Sequence, residues 1–251
     1  MVHRFARTEL LIGTKGLARL RQATVAVFGL GGVGSYTAEA LARSGIGRLV
    51  LIDKDVIDIT NINRQIPALT STIGEAKVDV MAKRINDINP DCEVIPKRMF
   101  FLKDTEDDIF SQPIDYVADA MDTLSAKIHL VQLCRSLHIP IASSMGAANK
   151  LDPTQFRIVD ISETSVDPIA RVMRRELRKV GITQGLKVVC SFETPSVTHE
   201  AIKQTLVPTD VGEGRTLTSK AANPPASLAF VPPVAGLMLA SIIVRDLLDQ
   251  P

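Results

Sequence analysis

Apolar residues in this chain fall into short runs that alternate with segments of helical spacing. The first two runs, residues 25–28 and 49–52, flank a segment with helical periodicity. Each run is continuous rather than alternating, which is typical of strands buried on both faces of a parallel sheet. The pattern predicts strand–helix–strand units and an α/β fold with a Rossmann-like, doubly wound, mainly parallel sheet.

The same alternation continues along the chain. A helix is predicted to start at a capping box, residues 72–75, and to run to residue 88. The other predicted elements are strands at 92–96, 114–120, 139–143, 155–159 and 187–192, and helices at 123–137 and 167–182. Residues 1–23 are predicted to form an amphipathic arm, and residues 193–225 a long loop.

An uncharged stretch lies near the end of the sequence, at residues 221–244. Prolines interrupt it, and the clean remainder, residues 234–244, is too short to span a bilayer. We therefore expect a buried closing helix and no integral membrane segment. Contact of this apolar C-terminus with a membrane surface is the alternative.

Four glycines shape the turn after the first predicted strand: Gly29, Gly31, Gly32 and Gly34. Their backbone N–H groups can approach a phosphate at a helix N-terminus. Asp53 ends the next strand, where a ribose hydroxyl would be held. This pattern predicts a nucleotide-binding βαβ unit. It does not by itself distinguish NAD, FAD and ATP, and a tight turn without a ligand is a further alternative.

Composition limits the possible functions. With 251 residues, 45% of them hydrophobic, the chain can form one large domain or two small ones. A net charge of +1 gives no global sign of a bound polyanion, so nucleic-acid contact would need a local patch. The three cysteines form no CxxC pair, which indicates a reducing compartment and no zinc site. The N-terminus lacks a signal-peptide core, so we expect a cytoplasmic protein.

The polar segment after the second strand favours a nucleoside triphosphate over a nicotinamide cofactor. It carries a fixed cation, Arg64, and backbone dipoles alone neutralise the extra phosphates poorly. Lys77 lies in the first turn of the next helix, where a cation is unfavourable unless an anion lies nearby. An exposed helix lysine is the alternative interpretation.

Asp122 follows the fourth predicted strand. A carboxylate at the C-terminal end of a parallel strand points into the crevice where ligands bind. Asp122 could therefore hold Mg²⁺ on a triphosphate. The alternative is an N-cap of the next helix, and the two roles can coexist.

The densest positive patch lies on the helix predicted at 167–182. A solvated face is the usual meaning of such a run, and nucleic-acid contact is the alternative. The arginines concerned are Arg171, Arg174, Arg175 and Arg178.

Taken together, these motifs resemble the ubiquitin-activating-enzyme superfamily. The matching segments are GLGGVG, LIDKD, TNINRQ, GEAK, and DAMD followed by Lys127, which replaces a frequent arginine. Within it the chain is similar to the tRNA threonylcarbamoyladenosine dehydratases, on RFARTELLIG, NRQIPAL, DPTQ, DPIARVMRRELR and KVVCSFETP. The resemblance implies ATP-dependent dehydration of threonylcarbamoyladenosine in tRNA through an acyl-adenylate. It also implies a single adenylating domain over residues 1–251, with an arm (1–23), a nucleotide-binding core (24–150) and a substrate-facing extension (151–251).

The resemblance implies roles for the nucleotide-site residues. The glycine turn would bind phosphate, and Asp53 the ribose, with Asp55 beside it. Asn61, Arg64 and Lys77 would clamp the triphosphate of ATP.

Further roles implied by the resemblance concern the metal and the partners. Asp122 would bind Mg²⁺. Arg7 would act as an arginine finger on the ATP of another subunit, which implies a homodimer and replaces a solvated-face interpretation of that arginine. The resemblance implies a tRNA substrate but no tRNA-binding residues, so the arginine-rich helix is assigned that contact on its positive charge alone. A monovalent cation and a desulfurase partner are left open, and no zinc is expected.

Two alternatives to this function are retained. One is adenylation of the C-terminal glycine of a ubiquitin-like sulfur carrier, although relatives with that activity usually have CxxC zinc ligands. The other is a nicotinamide-dependent oxidoreductase. Cys190 could contact an acyl intermediate, but a buried strand cysteine is favoured.

Overall fold

The computed structural model describes residues 2–206 and 224–249. Its centre is a seven-stranded sheet in the order β3-β2-β1-β4-β5-β7-β6. The strands are β1 (Thr24–Phe28), β2 (Arg48–Ile52), β3 (Glu93–Lys97), β4 (Tyr116–Asp119), β5 (Ile141–Ser144), β6 (Phe156–Asp160) and β7 (Lys187–Ser191). Neighbouring strands are parallel except β6 and β7, which are antiparallel. The predicted mainly parallel sheet, extended by further strands, is confirmed.

Helices cover both faces of this sheet. They are α1 (Ala6–Gln22), α2 (Gly34–Ser44), α3 (Lys77–Ile88), α4 (Glu106–Phe110), α5 (Leu124–Ser136), α6 (Pro168–Lys179), α7 (Glu200–Leu206) and α8 (Val231–Asp249). One hydrophobic core contains Leu41 of α2, Met81 of α3 and Leu239 of α8. The other contains Leu130 of α5 and Met173 of α6. This two-sided arrangement is the predicted doubly wound fold.

The central strand explains why its sequence shows no alternation. Every residue of β1 is buried. Val25 and Val27 enter the core formed with α2, α3 and α8, whereas Ala26 and Phe28 enter the opposite core. Since successive side chains point to opposite faces, a strand covered on both sides must be apolar throughout.

The closing helix α8 runs alongside α2 in the same direction. A Cβ atom at Gly32 would lie 2.9 Å from Cβ of Pro232, and Thr37 Oγ1 donates to the carbonyl of Gly236 at 3.0 Å. Among residues 2–206 and 224–249, only α8 is long and apolar enough to cross a membrane, and 56% of its apolar window is buried in the protein. It starts at Val231 rather than at 234 because prolines are tolerated in the first helical turn, where N–H groups lack partners.

The capping box predicted at residues 72–75 is wrong, because α3 begins later. Gly74 has a φ of +87°, and Ala76 forms a β-bridge with Val56. These features keep the preceding residues out of the helix. The hydroxyl of Thr72 instead accepts from the N–H of Leu69.

The long loop predicted at 193–225 is only partly a loop. It contains α7, which has no buried residue. Without a buried face, no apolar periodicity marks the helix in the sequence. Residues 207–223 of this prediction lie outside the described residues, and the division into arm, core and extension stays a prediction.

Candidate functional site

The glycine turn between β1 and α2 is packed against neighbouring backbone at one end and open in its middle. Gly29 has a φ of +84°, and a Cβ at Gly34 would lie 1.7 Å from the Gly29 carbonyl oxygen. No side chain fits there. A Cβ at Gly31, in contrast, would meet only Gln65 Nε2, at 4.0 Å. Glycine at position 31 therefore keeps clear a space that a phosphate group could enter.

Asp53 connects the end of β2 to this turn. Its Oδ2 accepts from the N–H of Leu30 at 2.7 Å, and its Oδ1 accepts from the N–H of Asp55 at 2.8 Å. A carboxylate oxygen has capacity for a second hydrogen bond, so a ribose hydroxyl can still donate to Asp53. The carboxylate thus holds the turn in place and retains the capacity for the predicted role.

Lys77 is buried at the N-terminus of α3, with 5% of its surface exposed. Its Nζ lies 3.1 Å from Oδ2 of Asp55, whose side chain is 48% exposed. The backbone N–H of Lys77 also donates to the carbonyl of Asp55. The alternative of an exposed helix lysine is therefore wrong. A buried ammonium at a helix N-terminus, paired with one half-exposed carboxylate, suits a further anion.

Arg64 covers the glycine turn from the loop after β2. Its Nη1 donates to the carbonyl of Thr60 and to Oδ1 of Asn63, each at 2.8 Å. Its Cγ lies 3.3 Å from the position of a Cβ at Gly32. Burial lowers the pKa of Arg64, and the charge of Asp122 opposes that shift. Arg64, Asp122 and the glycine turn thus lie at one site.

The side chain of Asn61 is hydrogen-bonded within the turn that carries Arg64. It is 9% exposed, and its Oδ1 accepts from the N–H of Asp58 at 3.2 Å. Oδ1 of Asp58 accepts from both the N–H and the hydroxyl of Thr60, and these two hydrogen bonds lower the pKa of Asp58. Asn61 therefore shapes the loop as well as lying next to the predicted phosphate clamp.

Two aspartates near the end of β4 differ in their surroundings. Asp119 is fully buried, and its Oδ2 lies 2.8 Å from Nζ of Lys127. Ser143 Oγ donates to the same oxygen. Asp122 lies just beyond and is exposed. Lys127 therefore lies beneath the site in an ion pair, while Asp122 borders the crevice.

The chain matches the model of the ThiF family over residues 5–251. It belongs to the ThiF family. This ThiF-family chain is 54% identical over 250 residues to the tRNA threonylcarbamoyladenosine dehydratase of Bacillus subtilis, covering 100% of the chain and 96% of that relative. It is also 41% identical over 201 residues to the Escherichia coli tRNA threonylcarbamoyladenosine dehydratase, covering 78% of the chain and 75% of the relative.

Solved structures support the same family. The E. coli tRNA N6-threonylcarbamoyladenosine dehydratase in complex with ATP matches the ThiF-family chain with a TM-score of 0.83 and 34% identity, over 97% of this chain and 93% of the other. The same enzyme in complex with AMP matches equally well, with a TM-score of 0.83. The family resemblance predicted from the sequence is confirmed.

Arg7 lies away from the glycine turn of its own ThiF-family chain. It is exposed on α1. Its neighbour Arg4 donates to the carbonyl of Ile88 at 2.8 Å, and Phe5 packs beside Gly45 at the C-terminal end of α2. The glycine turn is at the other end of α2, an 11-residue helix about 16 Å long. Arg7 therefore does not reach the nucleotide site of its own subunit.

The arginines of α6 fall into two groups. Arg171, Arg175 and Arg178 are exposed at helical spacing. Arg174 is half-buried and donates to both the carbonyl and the hydroxyl of Thr164. The first three form an exposed surface stripe, in which Arg175 Nε is paired with Oε1 of Glu176 at 2.7 Å. The structure does not place Arg174 with the others as predicted.

Cys190 is fully buried in β7. Burial raises the pKa of its thiol to about 12. A buried, protonated thiol is a poor nucleophile. The structure favours the buried strand cysteine over an acyl contact.

Asn63 and Gln65 have roles that the sequence does not reveal. Asn63 Oδ1 accepts from Arg64, and its Nδ2 donates to the carbonyl of Ser227 at 3.0 Å. Gln65 is 7% exposed, and within the described residues its Oε1 has no hydrogen-bond partner. The only sequence signal for either is a position beside Arg64 in the polar run at 61–65.

Proposed function

We propose that this chain catalyses the ATP-dependent dehydration, by cyclisation, of threonylcarbamoyladenosine in tRNA. The observation that carries the proposal is the 54% identity to the B. subtilis dehydratase over the whole chain. The match to the E. coli dehydratase in its ATP and AMP complexes supports the use of ATP. The half-buried Arg64 beside an open glycine turn, together with the buried Lys77, is local geometry that suits this chemistry.

The first step is formation of an acyl-adenylate. A carboxylate oxygen of the substrate attacks the α-phosphate of ATP, and pyrophosphate leaves. Negative charge shifts among the phosphate oxygens during this step. Lys77 and Arg64 are held by hydrogen bonds before ATP arrives, so they can stabilise that charge with little reorganisation.

The second step closes a ring. A nucleophile within the same substituent attacks the activated acyl carbon, and AMP leaves with one of the original carboxylate oxygens. ATP is converted to AMP and pyrophosphate, and the nucleoside has lost one water molecule. The protein contributes position and charge rather than a nucleophile of its own. This agrees with the buried, protonated state of Cys190.

Asp122 is the residue that would hold Mg²⁺. Within the described ranges, no group of three or more His, Cys, Asp or Glu side chains could hold a metal ion. A single carboxylate nevertheless fits this ion, since Mg²⁺ usually binds one or two carboxylates together with water and substrate phosphates. When bound, Mg²⁺ neutralises triphosphate charge.

A second copy of the chain completes the site in this proposal. Arg7 would reach the ATP of the partner subunit, since it is exposed and remote from its own glycine turn. Leu10 and Leu11 on the same helix are 83% and 86% exposed. Exposed neighbouring leucines support burial of α1 against another subunit. The monovalent cation and the desulfurase partner stay open.

The tRNA backbone would be contacted by the exposed stripe Arg171, Arg175 and Arg178. The stripe starts in the first turn of α6, whose N-cap, Asp167, lies against Gly146 just beyond β5. It therefore leads away from the carboxyl edge of the sheet, where the nucleotide site lies. Lys and Arg contacts to phosphates give sequence-independent, salt-sensitive affinity.

Mass measurement of the nucleoside tests the function. Purified protein, ATP, Mg²⁺ and tRNA carrying threonylcarbamoyladenosine are incubated, and the digested nucleoside is expected to lose the mass of one water molecule. An unchanged mass from protein that binds ATP contradicts the proposal. ATP–pyrophosphate exchange stimulated by a ubiquitin-like carrier, but not by tRNA, would favour the sulfur-carrier alternative.

An Asp122→Ala variant tests the metal role in the same assay. It is expected to abolish turnover while the protein remains folded. Asp107→Ala, at another exposed aspartate, is the matched control and is expected to stay active. Retained turnover in Asp122→Ala removes Asp122 from the mechanism.

A further inference from the structure

The segment 224–230 crosses the carboxyl edge of the sheet and leads into α8. On one side Asn63, in the loop after β2, donates to the carbonyl of Ser227. On the other side Asn149, in the connection after β5, holds Ala226 by two hydrogen bonds of 2.9 Å each. The segment thus joins the loop that carries Arg64 to the connection after β5.

The amide of Asn63 is bonded at both ends. Its Oδ1 accepts from Nη1 of Arg64 at 2.8 Å, and its Nδ2 donates to Ser227 at 3.0 Å. Only a side chain with one acceptor and one donor in a fixed plane can make both bonds from this position. The orientation of the Arg64 guanidinium is therefore linked to the position of the segment.

Asn149 is the second residue that anchors the segment 224–230. Its φ of +59° is a left-handed conformation that asparagine tolerates better than most residues. Besides its bonds to Ala226, its carbonyl accepts from the N–H of Ser196, in the chain that follows β7. Asn149 therefore connects the segment with the chain that follows β5 and the chain that follows β7.

We propose that Asn63 is a positioning residue that couples the phosphate clamp to the substrate-facing loops. It holds Arg64 in place for ATP, and its own position depends on the segment anchored by Asn149. The part of this inference that concerns the tRNA side rests on the proposed function. Disturbing Asn149, whose hydrogen bonds go to Ala226 and Ser196, should then weaken ATP binding through the segment.

ATP affinity measured by calorimetry without tRNA is the test. Asn63→Ala is expected to weaken ATP binding about tenfold, the effect of one lost hydrogen bond to a charged group. Asn149→Gly keeps the left-handed backbone and its N–H bond to the carbonyl of Ala226, but removes the side-chain bond from the N–H of Ala226, and is expected to weaken ATP binding about threefold. Asn149→Asp keeps an oxygen acceptor and is expected to retain wild-type affinity. Asn86→Ala, at an exposed asparagine in α3, is the matched control.

The double variant distinguishes coupling from local damage. If Asn149 acts on Arg64 through Asn63, the double variant Asn63→Ala, Asn149→Gly binds ATP as weakly as Asn63→Ala alone. Once Asn63 is removed, the loss at Asn149 has no further route to Arg64. Unchanged ATP affinity in either single variant, or additive losses in the double variant, overturns the proposal. If Asn149→Gly does not fold, Asn149→Ala, which removes the same side-chain bond to Ala226, takes its place in the double-variant comparison, because Asn63→Ala alone tests only the bond to Arg64. Since no tRNA is present, a failure of the dehydratase function would leave these results interpretable.

Discussion

Lys127 and Asp119 form a fully buried ion pair beneath the carboxyl edge of the sheet, with 2.8 Å between Nζ and Oδ2. The carboxylate also accepts from Ser143 Oγ and from the N–H of Met121, and the ammonium donates to the carbonyl of Ser144. Charges out of water are tolerated only when paired in this way. The pair therefore fixes the start of α5 against β4 and β5, and with it the turn that carries Asp122.

Removing one partner of this pair should destabilise the protein strongly. Lys127→Met leaves the Asp119 carboxylate buried without a counter-charge, and we expect a loss of about 3–5 kcal/mol in the free energy of unfolding. Urea denaturation measures it, with Lys103→Met at an exposed position as the control. A decrease in the free energy of unfolding below about 1 kcal/mol would show that water reaches the ion pair.

Alanine at two positions of the glycine turn should separate folding from ligand binding. Gly34→Ala places a Cβ 1.7 Å from a backbone oxygen, and we expect it to cost about 3 kcal/mol or more. Gly31→Ala has room in the protein, so the melting temperature should hardly change. Its methyl group would occupy the proposed phosphate position, and ATP binding should weaken by at least about tenfold. Normal ATP affinity in Gly31→Ala would mean that the phosphates bind elsewhere.

Two lysines of α3 provide a matched pair for testing the phosphate clamp. Lys77 is buried beside Asp55, whereas the Lys83 side chain is 75% exposed. We expect Lys77→Met to weaken ATP binding at least about tenfold, since a preorganised cation is lost. Stability should change little, because Asp55 is half-exposed and can be hydrated. Lys83→Met is expected to bind ATP as the wild type does.

Cys190 should be dispensable for turnover. Burial raises its pKa to about 12, so iodoacetamide at mildly alkaline pH should label it only after denaturation. Cys190→Ala should keep its activity and lose about 1 kcal/mol of stability from the small cavity. Loss of turnover in a variant that melts normally would assign Cys190 a catalytic role.

Acid should destabilise the contact between α2 and α3. Burial alone would raise the pKa of Glu39, but hydrogen bonds from Arg84 and Arg43 hold it below its ordinary value of 4.5. A depressed folded-state pKa contributes stability above the unfolded-state pKa and loses it as the pH falls through the folded-state pKa. The contribution should be on the order of 1 kcal/mol, since both arginines are partly exposed.

The comparison for this prediction is Glu39→Gln. Its thermal stability should be lower than that of the wild type near neutral pH and should converge with it in acid. A constant difference across the titration would show that the carboxylate charge of Glu39 is not responsible.

The sequence predicts well those structural features that depend on neighbouring residues along the chain. The continuous apolar run of β1 specifies a strand covered on both faces, and the spacing of Gly29 to Gly34 specifies the turn after it. Asp53 follows from its place at a strand end. These inferences need only neighbouring residues, so no knowledge of the tertiary structure is required.

Features decided by distant contacts are missed. The start of α3 depends on a bridge between Ala76 and Val56, and α7 has no buried face that would mark it. The sequence places Arg174 with its neighbouring arginines, but Thr164 turns it inward. The link between Asn63 and Ser227 joins residues 164 positions apart, which no local pattern records.

The contact between α2 and α8 has a consequence for how the protein is made. Thr37 and Gly236 are hydrogen-bonded across 199 positions of sequence, and Pro232 touches the glycine turn formed near the beginning of the chain. A ribosome that has released the first βαβ unit must still synthesise almost all of the remaining residues before α8 can cover it. Until then the apolar side of α2 is available to chaperones, and slow, late closure of this unit is the expected course of folding.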